Sequence, residues 1–138
     1  MKKIFIMLAL MAAVCTQAQV TEIKFQDDTY LLQYFDLSAP SGDTSFVFRI
    51  MVDDVQAWSI NFGWSDVVGV GLVSMEVTNF DELTNFIPYV DDMSTIITGA
   101  TGSGAWEDNM WSWKYFRITV EKGTLSAGYL SLKINLNK

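Results

Sequence analysis

The side chains able to do chemistry here are an unbalanced set: 16 Asp and Glu, five Trp, one Cys and no His in 138 residues. Without an imidazole, neither a Ser-His-Asp triad nor a His-bearing zinc site can be assembled. The only thiol, Cys15, falls in the N-terminal apolar segment, so the folded domain is expected to have no cysteine. What remains for an enzyme is a carboxylate pair of the glycosidase kind, a Ser-Lys arrangement or calcium-assisted chemistry. Many of the acids stand in doublets (Asp27-Asp28, Asp53-Asp54, Asp91-Asp92), where short acidic side chains stabilise turns. Neither these nor Glu107-Asp108-Asn109 has the glycine and distal glutamate of a calcium loop. The expectation is therefore a non-enzyme with no catalytic residues, no metal site and no cofactor. Calcium at loop carboxylates is the one ionic alternative.

Gly99-Ala100-Thr101-Gly102-Ser103-Gly104 superficially resembles a phosphate loop. It lacks the Lys-Ser/Thr ending, and its glycine spacing fits neither dinucleotide fingerprint, so it reads as a flexible surface loop. The tryptophans are more informative. Trp58 and Trp64 alternate with Ile60 and Phe62 and belong on a core face. Trp106, Trp111 and Trp113 instead surround a polar stretch before a strand. They form a candidate ligand-binding platform, able to stack on a sugar ring or anchor a protein contact; the competing role is to plug the end of the fold.

The elements that must position these residues are strands. Phe46, Phe48, Ile50 and Val52 alternate within Ser45–Asp53, Phe116, Ile118 and Val120 within Lys114–Glu121, and Leu130, Leu132, Ile134 and Leu136 within Gly128–Lys138. Period-two alternation marks strands buried on one face. Further strands are expected at Thr21–Phe25, Tyr30–Leu37, Ala57–Trp64, Val68–Thr78 and Ser94–Thr98, with one short helix around Phe80–Phe86. Seven or eight short strands with regular turns imply an all-β, antiparallel β-sandwich, immunoglobulin-like or jelly-roll-like. Val47 and Met51 beside Arg49, and the two-sided apolar run Val68–Val73, suggest a surface covered by a protein or cell-surface partner or by a second copy, a homo-oligomer.

Address is read from the N-terminus. Lys2 and Lys3 precede an apolar run from Ile4 to Val14, and Thr16 and Ala18 suit a cleavage site, so residues 1–18 read as a signal peptide and 19–138 as a single domain. Lipidation at Cys15 competes with simple cleavage, although Ala12 and Val14 match a lipobox poorly. The run is too short for a transmembrane span, and the mature chain is expected to have none. Secretion, or a place in the periplasm or on the outer surface of a Gram-negative bacterium, is the expected location. A net charge of −7 opposes nucleic-acid partners.

In the last part of the chain, Trp113-Lys114-Tyr115-Phe116-Arg117-Ile118 leads through Glu121-Lys122-Gly123-Thr124-Leu125-Ser126-Ala127-Gly128 into Tyr129 to Lys138. Together with Val77-Thr78-Asn79-Phe80-Asp81 and Phe86-Ile87-Pro88, this stretch is similar to the closing hairpin, and the segment before it, of small β-sandwich proteins among phage virion and accessory structural proteins. The resemblance implies a sandwich fold and an assembly or surface-binding role, as in a capsid or tail accessory protein, and it carries over no catalytic residues. The expected function is a non-catalytic structural or surface protein-binding module, with glycan binding through Trp106, Trp111 and Trp113 as the alternative.

Overall fold

A computed structural model describes residues 19–25, 29–51, 55–80, 85–89, 93–109 and 112–137. The expected signal segment, the three Asp doublets and Trp111 lie outside the described residues. Ten strands follow in order: β1 (Gln19–Phe25), β2 (Thr29–Asp36), β3 (Thr44–Ile50), β4 (Ala57–Val68), β5 (Gly71–Thr78), β6 (Ile87–Pro88), β7 (Ser94–Ile97), β8 (Gly102–Asp108), β9 (Tyr115–Glu121) and β10 (Ala127–Asn137). One sheet, here sheet A, has the order β1-β3-β9-β5-β6, with β7 also on β5; sheet B has the order β2-β10-β4-β8. Every pairing is antiparallel except β1 with β3, which is parallel. The chain is an all-β sandwich.

Most consecutive strands fall in opposite sheets. This differs from the immunoglobulin order, in which A and B share one sheet and F and G the other. Of the two expected variants, the connectivity lies nearer the jelly roll. It also corrects the expected closing hairpin: β9 belongs to sheet A and β10 to sheet B. The Lys122–Ser126 link arches across the sandwich end. Beside it runs the β4–β5 link, bonded through Thr124 N–H to Val70 O (2.8 Å) and Ser126 N–H to Val68 O (3.0 Å). Gly69 and Gly123 take positive φ angles there, 102° and 48°, and a Cβ on Gly69 would strike the Thr124 carbonyl. Only glycine fits that crossing.

The alternation read from sequence builds the core. In β10 the burial alternates strictly, with Leu130, Leu132, Ile134 and Leu136 inward. Trp58, Ile60, Phe62 and Trp64 of β4 lie beside them, facing Phe46, Phe48, Val73, Met75, Phe116 and Ile118 of sheet A. Phe48 and Phe116 stack at 4.7 Å. With no second cysteine to form a disulfide, stability rests on this burial, about 2 kcal/mol for each fully buried large aliphatic or aromatic side chain.

Three expectations change in the structure. Gly102, Ser103 and Gly104 belong to strand β8 rather than to a flexible loop. A Cβ at Gly102 would collide with the Trp64 ring and one at Gly104 with the Phe62 ring, so the glycines leave room for β4's aromatics. Val47 is only 1% exposed, so the outer face of β3 is not the free apolar surface its sequence suggested. In the expected helix, residues 81–84 lie outside the described residues, while Phe80, Asn85 and Phe86 are not helical. Val68 and Val70, at the inter-sheet link, are exposed, but Val73 is wholly buried. Among the described residues, no helix is long and apolar enough to cross a membrane.

Candidate functional site

Trp106 is 8% exposed, a core residue of β8 with its ring 4.7 Å from that of Phe62. A stacking platform needs an open ring face, and this ring is committed to the interior. Trp113 is half-buried and packs on the same core. The plug role therefore fits both, and Trp111 lies outside the described residues. Trp64 adds a further tie, donating from Nε1 to the Thr98 carbonyl at 3.1 Å.

The engaged carboxylates have structural partners. Glu76 accepts from Arg117 Nε at 2.8 Å and also from Nη2. Asp108 accepts the Tyr89 hydroxyl at 2.8 Å, which ties the 85–89 segment to β8. Burial, and then that carboxylate, raise the Tyr89 phenol above its ordinary pKa. Asp36 is lowered by the Ser38 hydroxyl and then the Ser38 amide, both donating to its Oδ1. Among the described residues, no group of three His, Cys, Asp or Glu is placed to hold a metal ion.

A concave feature lies elsewhere, on the outer face of sheet B, as an open groove of about 470 Å³. Strand register lays it out in rows. Leu31, Lys133, Asn61 and Ala105 form one row across β2, β10, β4 and β8. Ser131, Gly63 and Ser103 form the next, and the missing side chain at Gly63 deepens the floor. A third row, outside the groove, holds Asn135, which donates to Ser59 Oγ at 3.1 Å, and at its β8 end Glu107.

Beyond the Ser131 row stand two exposed aromatic rings. Tyr129 is the next outward residue of β10, and Tyr34 of β2 lies beside it, with ring centroids 6.2 Å apart in an edge-to-face arrangement. Tyr34 reaches this face because of a β-bulge. Leu132 pairs with Leu32 and Leu130 with Phe35, so Gln33 and Tyr34 together oppose Ser131. Uninterrupted alternation would send Tyr34 to the same side as Tyr30 and Leu32, against the core. The bulge turns it outward to 73% exposure and brings Phe35 inward onto Phe46 at 5.1 Å. Tyr34 has a φ of 57°, a left-handed conformation costing roughly 1–3 kcal/mol for such a residue. Sequence reading passed over Tyr34 and Tyr129. Tyr129 was legible as an outward residue of β10, whereas Tyr34 was not, since its direction depends on the bulge.

No protein-family model matches this chain, and no curated protein does. Solved structures of similar shape exist at very low identity. The pre-peptidase C-terminal domain of a collagenase from Bacillus anthracis matches at 10% identity and TM-score 0.42, over 88% of this chain and 97% of that one. PliG of Aeromonas hydrophila, a periplasmic inhibitor of g-type lysozyme, matches at 9% and TM-score 0.46, over 88% and 100%. A CBM4 structure matches at 12% and TM-score 0.42, over 82% and 74%. Likeness at this level says nothing about ligand or activity.

Proposed function

We propose that this protein is a non-catalytic, extracytoplasmic binding domain, and that it holds a glycan chain along the outer face of sheet B. The observation that carries this reading is the strained bulge that turns Tyr34 out of the core beside Tyr129, at the end of an uncovered groove. The bulge that seats Phe35 on Phe46 also leaves Tyr34 exposed against Tyr129, and an exposed aromatic pair set at a groove favours a role for those rings in binding. The floor suits a saccharide. Ser103, Ser131 and Asn61 supply hydroxyls and an amide to sugar hydroxyls, and the tyrosine rings give apolar surfaces for the C–H face of a pyranose. The N-terminal segment, read as a secretion signal, supports a location where glycans are met.

The test is retention on a panel of neutral and acidic polysaccharides, repeated with the double variant Tyr34→Asn, Tyr129→Ala. Asn tolerates the left-handed backbone, so the bulge is expected to persist. Wild-type retention, lost in a variant with an unchanged melting temperature, is the expected result. Equal retention by both proteins would remove the tyrosines from the site.

A further inference from the structure

We infer that the groove on sheet B selects a saccharide bearing a carboxylate, an acidic sugar of the uronic type, and that Lys133 reads the charge. This rests on the glycan-binding reading above and names its ligand class. The chain has 16 acidic residues against nine basic ones, yet among the described residues no carboxylate lines the groove and Lys133 is the only ionisable residue that does. Acidic residues of sheet B lie outside the groove lining: Glu107 one row beyond at the β8 edge, Asp36, held by Ser38, beside Tyr129, and Asp66 next to Ser65, the β4 partner of Tyr129.

Lys133 also differs from the basic residues the fold employs. Arg117 pairs with Glu76, Arg49 lies over the Tyr115 ring, and the Lys122 ammonium donates to the carbonyls of Leu37 and Ser38. Among the described residues, the Lys133 ammonium has no ion pair or hydrogen bond. Asn61 is its register neighbour on β4, so a carboxylate meeting this row finds an ammonium and an amide N–H side by side. Leu31 flanks Lys133 on β2 and offers an apolar shoulder to the same sugar ring.

Tyr129 lies four residues along β10, about 13 Å away, so a glycan stacked on the tyrosines presents a later unit to Lys133. A saccharide fits better than an acidic peptide. The backbone groups of β10 and β4 are engaged with strands on both sides, leaving only side chains to the ligand. Extended peptides gain their main-chain bonds at sheet edges.

Titration calorimetry on the protein would compare alginate and polygalacturonate oligosaccharides with the same molecules after reduction of their carboxylates to primary alcohols. For at least one pair the acidic member is expected to bind about tenfold more tightly, the weight of one charge-assisted hydrogen bond. The preference should shrink as salt is raised, vanish in Lys133→Met and persist in Lys133→Arg. A glycan bound equally in both forms, or a preference that survives Lys133→Met, would overturn the acidic-sugar inference and leave glycan binding standing. Binding confined to acidic peptides, or to no glycan, neutral or acidic, would overturn both.

Discussion

The two outer faces of this sandwich are both built from strands, yet one is covered and the other is exposed. On sheet A the outward residues Ser45, Val47, Thr78 and Tyr115 are buried. Ser45 and Thr119 share a hydrogen bond at 3.0 Å, and Arg117, paired with Glu76, lies 4.2 Å from the Phe86 ring. The protein covers this face with its own side chains and with the segment around Phe86. On sheet B the outward residues Asn61, Ser103, Ala105 and Lys133 are exposed, and Leu31, Tyr34 and Tyr129 are exposed large apolar side chains on the same face. A face completed from within contributes to stability; one left polar, shallow and rimmed by rings is free to take a ligand.

The sharpest way to break that comparison uses two glycines. Gly104 faces inward under Phe62, and Gly63 faces outward into the groove, where a Cβ would meet only the Gly102 carbonyl at 3.5 Å. Gly104→Val should destabilise the fold by about 3 kcal/mol through overpacking, read as a fall in chemical-denaturation midpoint. Gly63→Val should fold normally and fill the groove, abolishing glycan retention. If Gly63→Val lost stability as Gly104→Val does, the two faces would not be functionally distinct.

Charge should sharpen the contrast on a smaller scale. Arg117→Met leaves Glu76 half-buried without its partner and uncovers the Phe86 ring, an expected loss of about 1–2 kcal/mol. Lys133→Met removes an exposed, unpaired charge and should change stability by less than about 0.5 kcal/mol. Denaturant titrations of the two variants side by side check both values.

The smallest effect is alkaline. Burial raises the phenols of Tyr30 and Tyr89 above 10.0, with Asp108 adding to the rise at Tyr89. Their contribution is complete below the unfolded pKa, where both states hold the proton. It is lost as pH rises through about 10 towards the higher folded value, because the unfolded chain ionises first. The melting temperature should therefore fall with pH in that range, and less steeply in Tyr89→Phe. An identical slope in that variant would remove Tyr89 from the linkage.

Much of the architecture was legible in the residues, and the reasons are local. Each of the eight strands expected has a counterpart in the structure, because alternation and turn residues act within a few positions. β8 escaped notice because its glycines imitate a loop, and their purpose becomes visible only when Trp64 and Phe62 arrive from β4. For Trp106 the choice between platform and plug was hidden for a related reason. Sequence position placed Trp106 near polar residues, and strand pairing with Ile60 turned it inward.

Composition and two-residue rhythm therefore determined, unaided, that this chain builds a stacked-sheet fold without disulfides and without histidine chemistry, since those properties depend on residue type and near neighbours. Tertiary structure alone decided which outer face stays open and which aromatics reach it. Tyr34 points outward because Gln33 and Tyr34 together oppose Ser131, a register set between strands almost a hundred residues apart. Shifting a strand by one residue exchanges its faces, and no local pattern records where that shift will fall.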